Sequence, residues 1–263
     1  MRLRLLAAAP LVLAAILVAL ILGLSPSGEL DLLFRAEGVL VKAVAAAGCA
    51  AAALSFAPRS RLRVAWSLMA GCYLVLAVKT TPVLGDDLVV VRVGTLLANV
   101  LAPLGSLLMV QAWYGSGLAP AIPPVRRRVL PLLTFVGALF VAGPGLISRV
   151  EAVGQDPLAI LLIFSALGDI GSITLLAPLL LIALAMRGGR LAWPWALLAA
   201  GELSWLLYDV VSSLEPDVLS SPALVHGLPE MLRASGCLFY AAAGLAQRFA
   251  LQAAPRYEEA GTA

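Results

Sequence analysis

Charge is scarce in this 263-residue chain: 13% of the residues are Asp, Glu, Lys or Arg, against roughly 25% in an ordinary soluble domain. With 62% hydrophobic residues and a mean hydropathy of +1.00, that scarcity excludes a water-soluble globular protein. Histidine is almost missing, His226 being the single one, and Cys49, Cys72 and Cys237 lie in separate apolar runs with no C-x-x-C spacing. A zinc site of the usual kind has no ligand set here, and the cysteines read as small buried apolar side chains. The motifs of acyl transfer, nucleotide binding and metalloproteolysis are also missing: no G-x-S-x-G, P-loop, G-x-G-x-x-G after a strand, or H-E-x-x-H occurs. The sequence therefore leans away from an enzyme and indicates no catalytic residue, no cofactor and no metal.

What fills the chain is apolar runs. They cover residues 5–24, 38–57, 62–78, 89–113, 129–147, 158–186, 191–211 and 230–251, each near the roughly 20 residues a membrane helix needs. The first, although it follows Arg2 and Arg4, is longer than a signal h-region of about 7–15 residues and reads as an uncleaved helix. The expected fold is all-α, a polytopic integral membrane bundle of eight spans forming one domain over residues 1–254. A short polar cytoplasmic tail follows at 255–263. The Pro-rich linker 115–128 offers a division into halves 1–114 and 129–254. Gly143-Pro144-Gly145 reads as the end of the fifth helix.

Basic residues are not spread evenly. Arg2, Arg4, the Arg59 to Arg63 turn, Arg126 to Arg128, Arg187, Arg190, Arg248 and Arg256 make 12 of the 18, all on one side of an eight-span topology. Most acids, among them Glu29, Asp31, Asp86, Asp87, Glu151, Asp156, Glu215 and Asp217, fall on the other. The positive-inside rule then puts both termini in the cytoplasm and the chain in the cell inner membrane as a multi-pass protein. The net charge of +3 is a topology signal and not a nucleic-acid patch. The lipid bilayer is the partner implied.

Acids inside apolar runs are the least expected residues, since a charge in hydrocarbon costs roughly 3 kcal/mol or more and marks a functional site by default. Asp169, Glu202 and Asp209 are such acids. Asp169 and Glu202 each lie about 11 residues into their helices, near mid-bilayer, and adjacent antiparallel helices could bring them together. Glu202 and Asp209 are seven apart and share a helix face, with Trp205 between them and Tyr208 beside. These five residues are the candidate ligand or proton site. Bases occur only toward the outer helix ends, as Lys42, Lys79, Arg92 and Arg233. Arg233 and Lys42 are ion-pair candidates, and an Asp209 to Arg233 pair is the simplest arrangement. Asp169 and Glu202 have no midplane base. Either both keep their protons, since desolvation disfavours a carboxylate, or water or a bound cation compensates them. The plain alternative is two protonated acids bonded to neighbouring helices, with Asn99, Ser165, Ser172, Thr174 and Ser204 as further glue. Trp113, Trp193 and Trp195 read as interfacial anchors.

Gly168-Asp169, Pro178, Arg187-Gly-Gly-Arg190, Trp193-Pro194-Trp195 and Trp205 to Tyr208-Asp209 together resemble the multi-helix membrane sensor regions of bacterial histidine kinases and diguanylate cyclases. The resemblance covers about 50 of the 263 residues. It implies an input module for an extracytoplasmic or membrane-borne signal. No kinase or cyclase output is expected after the eighth helix, so output would pass through a partner protein. Three functions stay open: a sensor or small-ligand-binding module, a small proton- or cation-coupled transporter, and a structural subunit of a membrane complex.

Overall fold

The computed structural model describes residues 2–23, 28–81, 87–116, 122–156, 158–212 and 222–252. Among these the chain is eight α-helices with no strand: α1 (Arg2–Gly23), α2 (Gly28–Ala53), α3 (Arg61–Lys79), α4 (Leu88–Gly115), α5 (Pro124–Ala152), α6 (Ala159–Ala185), α7 (Ala192–Ser212) and α8 (Pro222–Gln252). The shortest, α3, has 19 residues, about 28 Å of axis. Four segments are long and apolar enough to cross a membrane: Ala36–Ala53, Arg61–Lys79, Leu88–Gly115 and Ala159–Ala185. In such a setting a helix is the natural solution, because it satisfies its own backbone groups.

Polar residues punctuate the helices where the chain reverses. Ser60 caps α3 by accepting a bond from the Arg63 amide at 3.2 Å, and Asp87 caps α4 by accepting from Val89 and Val90. Between α6 and α7 the turn Arg187-Gly188-Gly189-Arg190 needs a left-handed residue, and Gly188 supplies it at φ +87°.

Six helices close a ring. α2 packs on α3, α3 on α4, α4 on α6, α6 on α7, α7 on α8, and α8 returns to α2. α5 lies outside the ring against α6, and α1 outside it against α8. Contacts α2–α8 and α4–α6 both cross the Pro-rich linker, so the helices before and after it share one ring. At the α2–α8 seam the backbones touch: a Cβ on Gly48 would come 2.6 Å from Ala241 Cα, and one on Gly244 would come 2.9 Å from the Cys49 nitrogen. The outer surface is apolar, with Leu74, Leu97 and Leu203 of the ring and Phe140 of α5 exposed, a surface suited to lipid and not to water.

Inside, the two ends of the ring differ. Toward the arginine-rich end, where Arg61, Arg187 and Arg190 lie, Trp66, Met69, Met109, Leu179, Ile182 and Leu198 form a dry plug. Toward the other end the inward positions turn polar: Glu37 and Lys42 on α2, Lys79 on α3, Thr95 and Asn99 on α4, Asp169 on α6, Glu230 and Arg233 on α8. The ring is thus stoppered at one end and polar at the other.

Several expectations change at the edges. α2 begins at Gly28, ten residues before its apolar run, and α8 begins at Pro222 instead of Glu230. Hydropathy marks where a helix is greasy, while backbone hydrogen bonds carry it further. α5 starts at Pro124 and runs through Gly143-Pro144-Gly145 to Ala152; a proline removes one N–H, which a helix packed on a neighbour tolerates. Trp113 and Trp195 are not boundary anchors: they are 3% and 7% exposed, turned inward into the plug. Asp86, Glu215, Asp217 and the tail 255–263 lie outside the described residues.

Candidate functional site

Glu202 stands where the plug ends and the polar half begins. α7 turns Leu198, Gly201 and Glu202 inward and Leu203 and Leu207 outward, so the acid is buried by its place on the helix. The Tyr240 hydroxyl of α8 donates to Glu202 Oε1, and the Ser106 hydroxyl of α4 donates to the same oxygen at 3.3 Å. Both donors use Oε1, and Oε2 takes none among the described residues. The tyrosine reaches because its neighbour is bare: a Cβ on Gly201 would come 2.7 Å from the Tyr240 ring.

Aromatic rings continue from there. Tyr73 of α3 lies against Tyr240 with centroids 4.9 Å apart at 54°. Trp205 Nε1 donates to the Tyr73 hydroxyl at 3.1 Å, and its indole sits over Gly236, where a Cβ would meet it at 3.0 Å. Tyr208 meets Trp205 edge to face at 5.6 Å. Four ring helices therefore contribute to one connected array: Ser106, Glu202, Tyr240, Tyr73, Trp205 and Tyr208. Asp209 is half-buried on the same side of α7, one turn beyond Trp205.

Asp169 belongs to a second level. Asn99 Nδ2 donates to Asp169 Oδ1 at 2.5 Å and to Ser165 Oγ at 2.7 Å. Beside it α4 and α6 come together at Gly168, where any Cβ would collide with the Asn99 backbone. Asn99 and Ser106, which hold Asp169 and Glu202, are seven residues apart on one face of α4, about 10 Å along its axis. Asp169 and Glu202 are thus held at two heights by one helix, each with its own donors, and they do not form a carboxyl dyad.

Ion pairing departs from the expected scheme. Arg233 engages Glu230, one turn back on its own helix, and Glu37 of α2 at 3.7 Å, in place of Asp209. Gly38 allows this, since a Cβ there would come 2.6 Å from Arg233 Nη2. Lys42, 2% exposed, donates to Thr80 Oγ1 at 3.3 Å and makes no ion pair among the described residues. At the rim Arg92 bonds Asp156 at 2.5 Å, and this hydrogen bond holds the Asp156 carboxyl below the usual aspartate range. No group of three or more His, Cys, Asp or Glu is placed to hold a metal among the described residues.

No family model, characterised protein or solved structure matches the chain. Chemistry alone must then speak for the site. A buried carboxyl with one oxygen satisfied can exchange a proton or accept from a ligand, and tyrosine and tryptophan faces can cover an apolar or cationic group. Tyr73, Tyr240 and Ser106 escape the sequence reading because each sits in an apolar run with no charge to mark it. The available signal was the pairing of a small residue with an amphipathic ring, Gly201 with Tyr240 and Gly236 with Trp205.

Proposed function

We propose that this chain is a multi-pass inner-membrane protein that binds a small ligand in the polar half of its helix ring and passes that occupancy to a partner protein. One observation carries the reading: Glu202 is held by Tyr240 and Ser106 where the apolar plug gives way to the polar half of the ring, beside the Tyr73 and Trp205 rings. A purely structural acid does not require an aromatic array around it. Eight spans with both termini cytoplasmic complete the proposal, because all eight helices are long enough and the arginines gather at one end. The polar half then faces away from the cytoplasm, as an input module with sensor-like helices requires.

Native mass spectrometry of the protein extracted in lipid nanodiscs tests this. The wild type retains a small-molecule adduct, Glu202→Gln and Asp169→Asn lose it, and proteoliposomes of the wild type carry no proton-coupled flux. If the two substitutions together change neither adduct, stability nor flux, the site is not functional. A carrier is the second reading, favoured by one contact: a Cβ on Gly171 of α6 would come 3.5 Å from Pro103 Cβ of α4, so beside the acids a glycine meets an internal proline, which removes one backbone hydrogen bond from its helix. Flux abolished by Glu202→Gln would select it.

A further inference from the structure

Asn99 of α4 places its amide nitrogen at a point where three oxygens of α6 gather. Nδ2 is 2.5 Å from Asp169 Oδ1, 2.7 Å from Ser165 Oγ and 3.2 Å from the Ser165 carbonyl oxygen. Ser165 and Asp169 are one turn apart and share a face of α6, and the bare Gly168 lets that helix close on the Asn99 backbone. Two more oxygens belong to the same side chains, Asp169 Oδ2 and Asn99 Oδ1, and neither accepts a hydrogen bond among the described residues. Five oxygens are thus served by three side-chain protons, two on the amide and one on the Ser165 hydroxyl.

Carboxylate, carbonyl and amide oxygens converging on one point, with too few protons among them, are the ligands that hard cations take. The neighbouring charges set the charge of the ion. Arg149 and Lys79 are the bases that bear on Asp169, and Asp209 and Glu202 are the acids. Neither base makes an ion pair with Asp169 among the described residues. Arg149 ends on the Leu162 carbonyl at 3.2 Å, seven residues before Asp169 and about 10 Å from it along α6. Lys79 ends on Thr95, one turn before Asn99 on α4. With Asp169 itself, three acids face two bases, an excess of one negative charge when all are ionised. A monovalent ion closes that balance, whereas a divalent one would leave a positive charge among apolar helices, where charge is costly.

We infer that Asp169, Ser165 and Asn99 form a site for one alkali-metal ion between α4 and α6. Asp169 Oδ1, Ser165 Oγ and the Ser165 carbonyl are its first three oxygens. The ion takes the point held by Nδ2, and the Asn99 amide swings aside and presents Oδ1, so the site needs no standing cavity. The test measures thermal midpoints of the full chain in nanodiscs at pH 8, where protons compete least for the carboxylate, in sodium, potassium or choline chloride at equal ionic strength. Sodium or potassium raises the midpoint saturably over choline, and the one that acts at lower concentration is the occupant. Asp169→Asn, Asn99→Leu and Ser165→Ala each raise the half-saturating concentration tenfold or more, while Asp156→Asn at the rim keeps the wild-type value. Ser165→Ala removes one oxygen and decides the matter where Asp169→Asn fails to fold. Equal midpoints in the three salts overturn the inference, and so does an ion response that Ser165→Ala and Asp169→Asn leave intact. The ligand-binding reading, centred on Glu202, is judged separately: a small-molecule adduct without an ion response fells only the ion site, and an ion response without an adduct fells only that reading.

Discussion

At the residue scale, Glu202 is the position where structure and sequence meet most directly. Its Oε1 accepts from two other helices, so removing either donor takes a hydrogen bond from a buried acceptor. Tyr240→Phe is expected to lower stability by about 1–3 kcal/mol, the cost of a lost buried bond to a polar group. With Glu202→Leu already present, the same change should cost much less, and a double-mutant cycle of thermal midpoints in nanodiscs measures the difference. Asp156 behaves otherwise because it is at the rim. Its folded-state pKa is depressed by Arg92, so the pair's stabilisation is full above the ordinary aspartate value and fades as pH falls through the lower folded-state one. Asp156→Asn should therefore lower the midpoint slightly at pH 7, and the gap to wild type should close below about pH 4. Midpoints recorded from pH 3 to pH 7 give the sign directly; a gap that widens in acid would contradict the assignment.

Elements were legible to the extent that composition marks them. Runs of Leu, Ala and Val announced eight helices, and the Arg187-Gly-Gly-Arg190 turn was visible from its residues alone. Helix ends were less so, because Glu29 and Asp31 of α2 and Arg126 to Arg128 of α5 look like loop by hydropathy while the backbone continues through them. The partners of the acids were the least legible. Depth alone points Arg233 at Asp209, but the guanidinium turns to Glu230 and Glu37 because Gly38 leaves room, and depth carries no information about that room. Gly48 and Gly244 show the same limit: they matter through what α8 places opposite them. Gly48→Ala should destabilise by about 1–3 kcal/mol, the range for overpacking a tight core, since its Cβ would press on the Ala241 backbone. Gly137→Ala in α5, with nothing within 4 Å of the added carbon, should instead stabilise by up to about 1 kcal/mol through helix propensity. Thermal midpoints of the two variants should move in opposite directions, and movement in the same direction would mean the α2–α8 seam is not close-packed.

For the whole molecule, the question is which way the ring stands in the bilayer, since its polar half can serve the proposed extracytoplasmic signal only if that end faces outward. The protein carries its own blank for this measurement. Cys49, Cys72 and Cys237 are 0%, 4% and 0% exposed, so a membrane-impermeant maleimide should leave the wild type unlabelled on intact cells. Two single additions then report the two ends: Ser60→Cys in the turn before α3, and Thr81→Cys just after it. The α3 axis between them is about 28 Å long, enough to separate the two faces of a bilayer. Arginines at positions 59, 61 and 63 put the first turn in the cytoplasm, so Thr81→Cys should label on intact cells and Ser60→Cys only after the membrane is opened. Labelling of both from outside would make α3 a surface helix. Labelling in the reversed order would turn the polar half toward the cytoplasm, and the signal proposed above would then have to be a cytoplasmic one.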